Sequence, residues 1–242
     1  MRIYKDLPQH LEDGTPNEDW LAVRAGKFTG SDFNQYMSLL KKNELSDTAE
    51  SCLCEKVLES FGEQFDSTTT VAMARGTELE PIARKEYIQQ TFNDVQEVGF
   101  VDWERLRAGC SPDGVIYNET TIIDDMDVQR NINGEPELVI TTPKKLVFQR
   151  IDKIIEIKCP NIKNYLKMAS GNIPPLYKCQ VQFNLLITGA KSCDFVVYHP
   201  DMQLFIKEID ADADYQADIV SVLEKLNARY DEILEQIERY KK

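Results

Sequence analysis

No apolar run in this 242-residue chain approaches the roughly 18 residues that a membrane-spanning helix needs, and the opening Met1-Arg2-Ile3-Tyr4-Lys5-Asp6 lacks the apolar core of a secretory signal. A cytoplasmic location is therefore expected. None of the six cysteines, at 52, 54, 110, 159, 179 and 193, forms a Cys-x-x-Cys pair, so reduced, partly buried thiols are expected rather than a cysteine-built zinc site. Basic excess is missing too. A net charge of −13 argues against binding nucleic acid over an extended basic surface, while leaving room for a local basic groove or for acidic residues neutralised by metal ions. Internal repeats and low-complexity tracts are absent. What is present, 42% hydrophobic and 29% charged residues, is the make-up of a globular protein, read as one domain over residues 1–242.

The stretch with most chemistry is Lys153-Ile154-Ile155-Glu156-Ile157-Lys158-Cys159-Pro160. As a strand, its period of two puts Ile155 and Ile157 on one face and Ile154, Glu156 and Lys158 on the other, so a carboxylate and an ammonium project side by side. Pro160 cannot donate to a sheet ladder and is expected to end the strand beside an open site.

Elsewhere the chain alternates helical and extended patterns. A short helix from Asn17 is expected to end near Gly26, and Thr29-Gly30-Ser31-Asp32 to cap a second helix with Phe33, Tyr36, Leu39 and Leu40 on its apolar face. That start, with Arg24 and Lys27 close by, is a candidate phosphate seat. Residues 47–61 read as a helix with Leu53, Val57 and Phe61 on one side. Thr77 and Glu80 have capping-box spacing, with Pro81 in the first turn of a helix through Ile82, Tyr87 and Ile88. Strands are expected at 98–103, 106–111 and from 115, with Asp113-Gly114 as a turn. Residues 118–152 read as an inserted hairpin or excursion, with turn signals at Asp124-Asp125-Met126-Asp127 and Asn133-Gly134.

A helix at 161–171 is expected to centre on Tyr165, Leu166 and Met168, and one at 176–189 to close on Gly189. Tyr177, Gln180 and Asn184 form a polar stripe on the latter, facing either water or a site. A hairpin pair follows at 192–199 and 202–209, with His199 structural. An amphipathic helix from residue 213 carries Ile219, Val222, Leu226, Tyr230, Ile233 and Ile237, to pack on the domain or on a partner subunit.

If the segments ending at Asp113 and at Glu156 are sheet neighbours, two carboxylates meet beside Lys158. Hard oxygen donors of that kind suit Mg²⁺ or Mn²⁺, and the cation cancels their repulsion. Lys158 is placed to hold an attacking water or to stabilise charge at a phosphate.

The sequence Pro-Asp, then Glu-x-Lys, resembles the PD-(D/E)XK nuclease superfamily. Trp20-x-x-x-Arg24-x-Gly26-x-Phe28-Thr29-Gly30-Ser31, Arg75-Gly76-x-x-x-Glu80, Gly109-Cys110-Ser111-Pro112-Asp113-Gly114, Glu156-Ile157-Lys158-Cys159-Pro160 and Tyr177-x-x-Gln180-x-Gln182 follow in order between about residues 17 and 207. Together they resemble the lambda-exonuclease or YqaJ-type viral recombinase family. The resemblance implies an α/β (α+β) fold with a restriction-endonuclease-like core, a central mixed β-sheet flanked by helices, and a C-terminal helix at 213–242. It implies Asp113, Glu156 and the backbone carbonyl of Ile157 as metal ligands, Glu80 near a second metal, and Lys158 as the catalytic lysine. Tyr177 and Gln180 would orient water or phosphate, and Arg24 and Ser31 would hold a DNA 5′-phosphate. It further implies Mg²⁺, with Mn²⁺ as substitute and two ions per site, and 5′-to-3′ digestion of one strand of linear double-stranded DNA by a homotrimer. The 3′ single strand would pass to an annealing partner in a phage or bacterial host cell. The insertion at 118–152 departs from the family's shorter spacing.

Two rivals share the superfamily: an endonuclease, and a Cas4-type exonuclease, which needs a cysteine cluster where only Cys179 and Cys193 stand. A catalytically silent DNA-binding protein on the same fold has little reason to keep Asp113, Glu156 and Lys158.

Overall fold

The computed structural model describes all residues except 12–13, 43, 64, 66–69, 125–126, 131–135, 140–143 and 241–242, with backbone alone between 119 and 149. The chain begins with β1 (Arg2–Tyr4), α1 (Glu18–Arg24), β2 (Phe28–Thr29), a 3-10 helix at Phe33–Leu40, α2 (Asp47–Glu59) and α3 (Val71–Thr91). Then come β3 (Phe100–Trp103), β4 (Ala108–Cys110), β5 (Gly114–Asp124), β6 (Asp127–Arg130), β7 (Pro136–Val139) and β8 (Lys144–Lys158). It closes with α4 (Ile162–Ala169), α5 (Pro175–Thr188), β9 (Ser192–Val197), β10 (Phe205–Asp210) and α6 (Ala213–Tyr240). No described helix is long and apolar enough to cross a membrane.

The central sheet has the order β10-β9-β8-β5. Strand β8 runs parallel to β9 and antiparallel to β5, so the sheet is mixed. Its alternation divides the core as the pattern at 154–158 requires. Ile154 joins Cys193, Phe195 and Val197 in the larger cluster, against α2, α5 and α6. Ile155 and Ile157 join Val196, Ala83 and Tyr87 in a smaller cluster beneath α3. Burying a side chain such as Ile155 contributes about 1.5–3 kcal/mol. A second sheet, β1-β3-β4-β2, carries α1, which is pinned where Trp20 Nε1 donates to the Gly99 carbonyl at 2.9 Å. Helix α6 buries Ile219, Val222, Leu226, Tyr230 and Ile233 on the large cluster, while Ile237 packs at its edge.

Several expectations hold in detail. Asn17 caps α1, Gly26 takes φ +69° just after it, and Gly189 closes α5 at φ +66°. All six thiols are free, with Cys110, Cys179 and Cys193 buried. His199 packs edge-on to Tyr165 and accepts the Asp201 amide through Nδ1 at 3.2 Å.

Others fail for identifiable reasons. The expected helix after Asp32 is 3-10 rather than α, and Asp32 makes no cap bond to it. Phe61 lies beyond α2, which ends at Glu59, and is exposed. The capping box at Thr77 and Glu80 does not form. Thr70 starts α3 by accepting the Met73 amide, the Thr77 hydroxyl donates to the Met73 carbonyl, and Pro81 lies inside the helix. An interior proline costs about 3 kcal/mol, and the burial of Ala83 and Tyr87 offsets it. The chain bends at Asp113, but the bend does not close a hairpin: β4 and β5 belong to different sheets, and Gly114 opens β5 opposite Ile155. Glycine is needed there because a Cβ would come within 2.6 Å of Val95. The hairpin read at 118–152 does form in its described part: Asn118 to Asp124 pair back onto β8 from Arg150 to Lys144, extending the central sheet, and β6 pairs with β7. The turn signals at 125–126 and 133–134 lie outside the described residues.

Candidate active site

Pairing of β5 with β8 brings the chemistry together. The Asp113 amide donates to the Ile155 carbonyl at 3.1 Å, and the Ile157 amide donates to Asp113 Oδ2 at 2.6 Å. The aspartate is thereby fastened across the strand end that carries Glu156. Glu156 is 1% exposed, and each of its carboxylate oxygens has a donor: Lys158 Nζ on Oε1 at 2.5 Å and Asn184 Nδ2 on Oε2 at 3.1 Å. The Lys158 ammonium also lies 5.0 Å from the centre of the Tyr177 ring, within cation–π range.

Glu80 approaches from α3 and is held by Arg84, one turn on, at 2.5 Å. The same guanidinium donates through Nε to the Asp113 carbonyl at 2.7 Å and pairs with Glu97 at 2.7 Å. Deeper in the sheet, the Tyr87 hydroxyl donates to Asp194 at 2.6 Å, and Lys153 bridges Asp194 and Glu208. Those bonds clamp α3, and with it Glu80, onto β9.

The electrostatics show how strongly the acids crowd one another. Burial first, then Glu156 and Glu80, push the Asp113 carboxyl well above the usual carboxylate range, against the pull of Lys158 and the Ile157 amide. Glu80 is raised by burial and by Glu156, with Arg84 and Lys158 opposing. For Lys158, burial works against the charge, but Glu156 and Asp113 outweigh it and hold the ammonium protonated. The neighbouring acids thus favour the charged, hydrogen-bond-donating form of Lys158. Among the described residues no three acidic, histidine or cysteine side chains are drawn tightly enough to cage an ion as they stand. The donor set nevertheless fits a hard divalent cation, because Asp113, Glu156 and Glu80 are oxygen donors whose repulsion such a charge would relieve.

A second corner lies on α1 and the turn after it. Arg24 donates to the Thr29 hydroxyl at 3.1 Å and to the Ser31 hydroxyl at 3.3 Å, and stacks 5.0 Å from the Trp20 ring centre. Burial lowers the guanidinium's pKa, while Asp32 and Glu59 raise it. The two corners meet at Gly30. A Cβ there would sit 2.5 Å from Asn184 Oδ1 and 3.1 Å from the Gln180 carbonyl, so only glycine lets the turn lie against α5.

Tyr177 and Asn184 thus lie against Lys158 and Glu156, and the half-buried Gln180 packs against Gly30. Gln182 is buried, donating to the Asp210 carbonyl and accepting the Asp212 amide. Asn184 and Arg84 were not among the expected site residues. Asn184 was signalled by the polar stripe, and Arg84 by its i,i+4 spacing from Glu80.

A mixed sheet with acidic groups and a lysine at the end of its central strand is the restriction-endonuclease-like α+β fold, as found in alkaline exonucleases. The chain belongs to the family of the YqaJ-like viral recombinase domain, whose model matches residues 19–191. It is similar to the alkaline exonuclease LHK-Exo from Laribacter hongkongensis at 28% identity, covering 93% of this chain and 100% of that one, with TM-score 0.64. For LHK-Exo in complex with dAMP, identity is 29%, coverage 92% and 96%, and TM-score 0.69. A phage related exonuclease from Haemophilus somnus 129PT shares the fold at 14% identity, with coverage 87% and 96% and TM-score 0.56. A search of curated proteins found no match.

Proposed function

We propose that this chain is a single-domain, Mg²⁺-dependent exonuclease that hydrolyses one strand of linear double-stranded DNA from the 5′ end and leaves 3′ single strands for recombination by annealing. The observation that carries this reading is the junction of β5 and β8, where Asp113, Glu156 and Lys158 lie together with Glu80 facing them from α3. Similarity to LHK-Exo, an exonuclease crystallised with dAMP, supports the substrate class.

Asp113, Glu156 and the carbonyl of Ile157 would hold one metal ion, with Glu80 beside a second. When bound, the ions polarise the phosphodiester and lower the pKa of attacking water, with Mn²⁺ as a substitute for Mg²⁺. Lys158, kept protonated by the acids around it, donates to the water or to the phosphate oxygens as charge develops. Asn184 fixes the orientation of Glu156, and Arg84 that of Glu80. Tyr177 packs beneath the Lys158 ammonium and limits where it points, with Gln180 one turn further along α5. Arg24 and Ser31 take the terminal 5′-phosphate. The homotrimer, the annealing partner and a cytoplasmic setting in a phage or bacterial host follow from family resemblance.

Duplexes labelled at either end test the reading. Nucleotides should be released from linear DNA only with Mg²⁺ or Mn²⁺, first from the 5′ end and faster when it is phosphorylated. Cleavage of closed circles would identify an endonuclease. Failure to hydrolyse with either metal would leave a DNA-binding module.

A further inference from the structure

Arg75 belongs to the motif Arg75-Gly76-x-x-x-Glu80 but has no part in the chemistry above. It lies in the second turn of α3 and is half-buried. Its Nε is buried and has no hydrogen-bond partner among the described residues. An N–H held out of water without an acceptor is costly, so this position is suited to an acceptor that a bound substrate would bring. The ion pairs of α3 are made by Arg84, with Glu80 and Glu97, and none among the described residues involves Arg75.

Its surroundings indicate which acceptor. The Cys159 thiol follows Lys158 at the end of β8 and packs in the small cluster with Leu79, one turn on from Arg75. The guanidinium therefore lies at the margin of the carboxylate patch. A planar, permanently charged fork suits a phosphodiester, whose oxygens it can engage in pairs.

We propose that Arg75 is a second substrate-binding cation of this centre, donating to a backbone phosphate of the DNA strand next to the phosphate being cut. The inference rests on the nuclease reading but is separable from it. Arg75 takes the strand's charge beside the reaction, whereas Lys158 acts at the reacting phosphate. Its loss should weaken binding and leave the chemical step largely intact.

The test pairs steady-state digestion of linear duplex DNA by otherwise wild-type protein with equilibrium binding of labelled duplex across a salt series in a Lys158→Ala background. Arg75→Gln should raise KM and Kd about tenfold, keep kcat within about twofold, and lower the slope of log K against log salt by about one. Arg75→Lys should restore the slope. A residue that merely packs α3 would not move the slope. If Arg75→Gln keeps the wild-type slope and KM, or loses kcat at unchanged KM, the inference is wrong. Should Arg75→Gln fail to fold, Arg75→Met keeps the apolar stem and faces the same criteria. If the wild-type protein digests no DNA, the nuclease reading fails, yet the salt slope still reports whether Arg75 meets phosphate.

Discussion

The carboxylate patch at the end of β8 and the Arg24 corner beside α1 are built on opposite electrostatic plans. In the patch, Asp113, Glu156 and Glu80 crowd around Lys158 and Arg84, and mutual repulsion with burial raises the Asp113 and Glu80 carboxyls. In the corner, one guanidinium is surrounded by hydroxyls, with Asp32 and Glu59 nearby and no second cation in its immediate set of bonds. The patch is short of positive charge, and the corner presents it. A metal ion suits the first and a phosphate the second. Asn184 joins them, donating to Glu156 on one side and lying against Gly30 on the other.

The strongest way to break the contrast is to remove the patch's own cation. Lys158→Ala should lower kcat by about a hundred- to a thousandfold with DNA binding largely kept; substantial residual turnover would exclude the lysine from the reaction. Next comes the junction. In Gly30→Ala the new methyl meets Asn184 Oδ1 first, and turning that amide away breaks its bond to Glu156. Activity should fall about tenfold, for a stability loss of about 1–3 kcal/mol, read by kinetics beside thermal unfolding. Unchanged kcat would show that Asn184 does not serve the patch.

The patch should also respond to metal. Because its carboxyls are held above their usual range, protons compete with the cation. The rise in Tm on adding Mg²⁺ should therefore be larger at about pH 8 than at about pH 6. A shift independent of pH would argue that these acids are not the ligands. On the other side, Arg24→Ala should reduce the preference for 5′-phosphorylated ends by about tenfold and leave hydrolysis of an engaged strand intact, measured on paired duplexes with and without the phosphate. The smallest effect is a control: Gly76 has open space around its Cβ position within α3, so Gly76→Ala should raise stability by about 0.5–1 kcal/mol.

The local patterns in the sequence were good guides wherever a short stretch decides its own geometry. The alternation through 154–158 sorted Ile155 and Ile157 from Glu156 and Lys158 correctly, and the period of α6 marked its buried face. Glu80 shows where such reading fails. Thr77 and Glu80 have the spacing of a helix start, but Thr70 caps the helix earlier, and packing of Ala83 and Tyr87 carries α3 through Pro81. Gln180 and Gln182 stand two apart, and on a helix that separation points them to different sides. Gln180 lies against Gly30 at the site, whereas Gln182 ties down the start of α6.

By itself the sequence determined the polar stripe on α5, the strand that carries Glu156 and Lys158, and the glycines that close α1 and α5, because those features depend on side-chain period and backbone freedom within a few residues. Only the tertiary structure decided that the Ile157 amide anchors Asp113, that Arg84 ties Glu80 to the Asp113 carbonyl, and that Asn184 links the two corners. Those contacts join residues far apart in the chain through strand register and helix packing, which residue spacing alone does not encode.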